Sequence, residues 1–138
     1  MDNHPLYLEK LEKKIAVHTS FMNNTKWFKL FTEIENKNIK IQTAYIKFLL
    51  QKKKYKFRFG GFNETGFGDV SELGPFSFKE VEWISIPKKY DVERWNRKEK
   101  LISEIIFQPL DKIETLINSL GKFEYDITEQ ELKIYGYK

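Results

Sequence analysis

With 138 residues, 41% of them apolar and 16% aromatic, the chain is large enough to build one core and too hydrophobic to belong with disordered sequences. It contains no cysteine, which removes disulfides, thiolate nucleophiles and thiolate-bound zinc, and suits a reducing compartment. The formal charge of +4 is modest; it permits nucleic acid as a partner without pointing to it.

The opening stretch MDNHPLYLEKLEKK lacks the apolar segment of a secretory signal. No apolar run approaches the roughly 20 residues that span a bilayer, so a soluble, cytoplasmic protein is expected. Leu8, Leu11 and Ile15 recur at helical spacing after Pro5, and Trp27, Leu30, Phe31 and Ile34 do so after NNT, where Asn24 or Thr25 can cap the first amides. Two helices broken near Ser20 follow from that spacing. The pattern then changes: IKIQTAYIKFLL is rich in β-branched and aromatic residues, and YKFRF alternates rings with cations. These two runs predict an antiparallel hairpin around QKKK.

Further on, FSFKEVEWISIP reads as a third strand stopped by Pro87, giving a sequential meander. KKYDVERWNRKEK shows no clear period and is expected to be a connection, while LISEIIF fits a short strand or a helical turn. In QPLDKIETLINSLG, Pro109 suits the first helical position, Leu110, Ile113, Leu116, Ile117 and Leu120 form one stripe, and Gly121 can end the helix. FEYDI and ELKIYGY close the chain as strands. The order ααβββαββ, with hairpins in place of βαβ crossovers, predicts an α+β fold over residues 1–138 as a single domain, its antiparallel sheet packed on the helices.

The glycine-rich segment between strands offers the first functional question. GFNETGFG has the glycine spacing of a phosphate-binding loop from Gly61 to Gly66, but Phe67 and Gly68 stand where that loop needs Lys and Ser or Thr. The glycines therefore read as residues that allow positive φ in turns. Residues 60 to 86 carry Glu64, Asp69, Glu72, Glu80 and Glu82 against Lys79 alone. Interleaved with Phe62, Phe67 and Phe76, such a patch would suit a positively charged protein partner. The plainer reading is a solvated loop whose phenylalanines fold into the core.

Opposite charge gathers at Lys47, Lys52, Lys53, Lys54, Lys56 and Arg58. Alternation puts Lys54, Lys56 and Arg58 on one strand face, and the plainer reading there is protection of an exposed edge. The alternative is a nucleic-acid contact, although period two turns Tyr55 and Phe57 to the other face. His4 and His18 lack any metal-ligand spacing, so neither a metal nor a cofactor is expected. The pair Glu80 and Glu82, two apart on a strand, shares one face and is expected in solvent. With no nucleophile elbow or assembled triad in view, no catalytic residue is assigned.

Three motifs bracket the chain: Asn23, Thr25, Lys26 and Trp27; then Gly74, Pro75, Phe76, Phe78, Lys79, Glu80, Val81, Glu82 and Trp83; then Ile134 to Tyr137. They resemble the N-x-T-K-W, G-P-[FY]-x-[FY]-[KR]-E-[IV]-E-W and [IV]-Y-G-Y blocks of a family of small bacterial proteins with no established activity. By type, the chain also resembles immunity proteins of contact-dependent growth inhibition and other polymorphic toxin systems. That resemblance implies a non-catalytic cytoplasmic inhibitor that binds a cognate toxin domain and covers its active site. The expected contact is Glu64, Asp69 and Glu72 with toxin cations, and Phe62 and Phe67 in toxin pockets.

Overall fold

A computed structural model describes residues 5–59, 66–70 and 73–138. Two helices open it, α1 (Pro5–Ala16) and α2 (Asn24–Asn36). The cap of α2 is Asn23, one residue before the expected position: its side-chain oxygen accepts the Lys26 amide at 2.8 Å. Strands β1 (Ala44–Phe48) and β2 (Tyr55–Phe57) form the expected hairpin, Ile46 opposite Tyr55 and Ala44 opposite Phe57. A small hairpin follows, β3 (Phe67–Val70) with β4 (Gly74–Ser77), then β5 (Val81–Pro87).

Strands β6 (Lys89–Asn96) and β7 (Glu99–Phe107) come next, then α3 (Leu110–Leu120), β8 (Tyr125–Ile127) and β9 (Glu131–Tyr135). The fold is α+β, with an antiparallel five-stranded sheet in the order β2-β1-β5-β9-β8. The expected meander is not adopted: β5 pairs with β1, on the side away from β2, and becomes the central strand. Ile46, Ile84 and Ile134 stand abreast across β1, β5 and β9, each withdrawn from solvent. They join one cluster with Trp27, Leu30 and Ile34 of α2 and Ile113 and Ile117 of α3. Each such side chain contributes about 1.5–3 kcal/mol by leaving water.

FSFKEVEWISIP does not run as one strand. A single 3₁₀ turn, Phe78–Glu80, separates β4 from β5 and turns Glu80 inward. The Glu80 carboxylate accepts the Ser77 amide at 2.7 Å and the Tyr7 hydroxyl of α1. Glu80 and Glu82 therefore do not share a solvated strand face, as their spacing suggested. Glu80 is buried, and half-buried Glu82 pairs with Lys47 at 2.9 Å.

The three motifs meet in space. An added Cβ on Gly136 would stand 2.3 Å from the Val81 carbonyl oxygen and 3.3 Å from the Trp27 ring, so only glycine lets this end of β9 close on β5. The Gly136 amide donates to Glu82 O at 2.7 Å, and the Tyr137 hydroxyl to Lys79 O at 2.8 Å. Lys26 donates its ammonium to Phe21 O and Lys122 O. These motif residues hold the helices, turn and sheet together.

Helix α3 buries its predicted stripe at Leu110, Ile113, Leu116 and Ile117, with Leu120 half-buried. Pro109 caps it from outside the first turn, and Gly121 leaves it at φ 142°. Among the described residues, no helix is long and apolar enough to cross a membrane.

Candidate functional site

Of the expected acidic surface, Phe62, Glu64 and Glu72 lie outside the described residues. Phe67 begins β3 opposite Ser77, and Asp69 is exposed opposite Pro75. The rest of the patch is withdrawn from it. Phe76 and Phe78 are core residues, their rings 6.2 Å apart, and Glu80 and Glu82 are held as described above.

The basic run divides. Lys52, Lys53 and Lys54 occupy the β1–β2 connection, where Lys53 lies over the Tyr55 ring and Lys54 over the Tyr45 ring. Lys56 points outward from edge strand β2, while Tyr55 and Phe57 on its other face are buried. Arg58 is exposed just beyond the strand. The rings are thus core, as period two required, and they offer no stacking platform beside these cations.

His4 lies outside the described residues. The Nδ1 atom of His18 sits 2.7 Å from Lys14 O at the end of α1, with its ring edge-on to Tyr137. Among the described residues, no cluster of His, Asp and Glu could hold a metal ion.

The most distinctive surface comes from the stretch expected to be a connection. Residues 89 to 107 form a two-stranded antiparallel hairpin with eight residues in one strand and nine in the other. Its two-residue loop holds Arg97 at φ 58°, a left-handed conformation of the kind such tight turns demand. Among the described residues, neither strand pairs with a third.

Register sets Trp95 opposite Lys100, Asp91 opposite Ile105 and Lys89 opposite Phe107. Period two therefore aligns Trp95, Ile105 and Phe107 on one face. Between Val92 and Arg94 the register slips, so that Ile102 and Ser103 together oppose Glu93, and the bulge adds Ile102 to that side. Trp95 is 56% exposed, Ile102 89%, Ile105 52% and Phe107 66%. Lys100 pairs with Glu93 at 3.4 Å on the same face, between Trp95 and Ile102.

Buried Gln108 fixes the base of the hairpin. Its Oε1 accepts the amides of Gln42 and Thr43 at 3.0 and 3.1 Å, and its Nε2 donates to Thr43 O and Pro87 O at 2.9 and 2.7 Å. One side chain thereby satisfies all four of its hydrogen bonds and joins β7 to the start of β1 and the end of β5. Tyr90 adds a hydrogen bond from its hydroxyl to the Gln42 side chain. The hairpin is anchored at one end and open to solvent along its length.

A family model matches residues 10–138, nearly the whole described chain. The chain belongs to the family of unknown function DUF6678. Neither the curated proteins nor the solved structures contain a match to it.

Proposed function

We propose that this DUF6678 chain is a non-catalytic protein-binding module, a cytoplasmic immunity protein that occludes a cognate toxin domain, and that the β6–β7 hairpin is its contact surface. The observation that carries this reading is the row of Trp95, Ile102, Ile105 and Phe107, exposed on a paired, base-anchored ribbon. Large apolar side chains left in water along one face mark an interaction site, and a Trp with a Phe supplies the aromatic anchors that dominate binding energy. A two-stranded arm also reaches into a cleft that a rounded surface would not enter. The hairpin is preferred to residues 60 to 86 because Phe76 and Glu80 of that patch are buried and Lys47 pairs with Glu82, while Phe62, Glu64 and Glu72 lie outside the described residues.

The small, cysteine-free α+β chain and its resemblance by type to toxin-neutralising proteins support the choice of an immunity role. Calorimetric titration with the protein encoded by the adjacent reading frame tests it. One-to-one binding is expected, weakened about thirtyfold or more by Trp95→Ala with Phe107→Ala. Binding that the double substitution leaves untouched would move the contact elsewhere, and no binding by either neighbouring product would overturn the immunity role.

A further inference from the structure

A second surface lies at the base of the hairpin, adjoining the apolar face at Phe107. Tyr90 and Gln42, hydrogen-bonded to each other, form a wall shared by two clefts. The first, about 330 Å³, is lined by Lys37 and Lys40 from the α2–β1 connection and Lys112 from α3, with Phe107 beside them. The second, about 460 Å³, is lined by Lys56 of β2 and by Arg58, with Phe59. Five cations from three segments of the chain, 37–40, 56–58 and 112, thus line the two clefts that make up this groove. Among the described residues lining the two clefts there is no Asp or Glu, and none of the five cations joins an ion pair. Asp111 lines an adjoining cleft with Lys37 and Lys112.

The open face of the main sheet is arranged differently, although it too is rich in lysine. There Lys47 pairs with Glu82 at 2.9 Å, Lys133 with Glu131 at 3.4 Å and Lys138 with Glu124 at 2.8 Å. Those three lysines are paired, whereas Lys56, which stands opposite Tyr45 on the same face, and the other groove cations are not, among the described residues. Like charges gathered in a concave, low-dielectric wall raise the local potential and draw an anion in.

We infer that this groove binds the backbone of single-stranded nucleic acid, with Lys37, Lys40 and Lys112 on phosphates at one side of Tyr90 and Lys56 and Arg58 on phosphates at the other. Two clefts in line call for an anion that repeats its charge along a chain. The rings of Tyr90, Phe59 and Phe107 among the cations favour a polyanion that also carries flat bases. An acidic peptide has the charge without the stacking groups, and a duplex is too wide for clefts of this volume. The inference does not rest on the protein-binding role of the hairpin, since its five cations lie outside that face and the two surfaces share only Phe107.

Fluorescence anisotropy with a labelled uridine oligonucleotide, on protein stripped of nucleic acid, tests it. Five phosphate contacts predict a slope of log affinity against log salt of about −3.5, or roughly a hundredfold weaker binding at 200 mM than at 50 mM salt. Lys40→Glu with Lys112→Glu, and separately Lys56→Glu with Arg58→Glu, should each weaken binding by tenfold or more at about 50 mM salt. Replacing Lys52, Lys53 and Lys54 by Gln should cost less than about threefold, because those residues lie outside the groove. All four groove substitutions are at exposed positions, and an unchanged thermal melt verifies folding. Equal loss from the 52–54 variant, no binding by the wild type at low salt, or equally good competition by a glutamate polymer would each overturn the assignment.

Discussion

Strands β5 and β7 carry nearly the same words, WISIP in one and LISEIIF in the other, and meet opposite fates. In β5, Ile84 and Ile86 are buried at the centre of the five-stranded sheet, beneath α2 and α3. In β7, Ile102, Ile105 and Phe107 stand in solvent. Intrinsic strand preference is similar in the two; what differs is whether a second layer lies on the strand. Among the described residues no layer covers the apolar face of the ribbon, and that face stays in solvent.

The largest expected contrast comes from truncating an isoleucine in each strand. Ile84→Ala should destabilise the fold by about 3–4 kcal/mol, through lost burial plus the cavity left behind. Ile102→Ala should change stability by less than about 0.5 kcal/mol. Urea unfolding measures both, and a cost above about 1 kcal/mol for Ile102→Ala would mean that the hairpin face is already covered within the chain.

Somewhat smaller is the effect of the residue that joins the two regions. Gln108→Ala leaves the amides of Gln42 and Thr43 and the carbonyls of Thr43 and Pro87 without their partner, at a cost of about 2–3 kcal/mol. Hydrogen exchange should then quicken most in residues 89–107 and at the start of β1. A uniform loss of protection across the whole chain would argue that Gln108 supports the core and not the hairpin in particular.

The smallest expected effect is one of pH. Burial raises the Tyr137 phenol above its ordinary value of 10.0, with its hydroxyl donating to Lys79 O. The folded state therefore favours the neutral phenol. Stability from this group is fully present below about pH 10 and is lost as pH rises through the higher folded value. Tyr137→Phe should flatten that alkaline decline while costing about 1 kcal/mol at neutral pH. Parallel pH profiles of wild type and variant would show the alkaline loss arising elsewhere.

Much of the main sheet and its helices was legible because each element buries one face and so writes a period into the sequence. The stripe of α3 and the alternation of Tyr55, Lys56 and Phe57 are direct records of that burial. The outer part of the hairpin left no such record, since it is exposed on both faces and puts Trp95, Arg94 and Glu93 under the same solvent. Without burial there is no alternation to read. Strand order was hidden for another reason: β5 could extend the hairpin beside β2 or beside β1 with the same face inward. Nor could a linear reading find the groove, because Lys37, Lys56 and Lys112 are brought together only by the fold. Of its members, Lys56 and Arg58 were marked by their place in a basic run, whereas Tyr90 and Lys112 carried no signal.

The measurement that tests the contact surface most directly is amide hydrogen exchange on the chain alone and bound to its protein partner. Protection gained across residues 95–107, with residues 60–75 unchanged, is the expected result. Protection gained at 60–75 with none in the hairpin would contradict it and return the contact to the acidic segment.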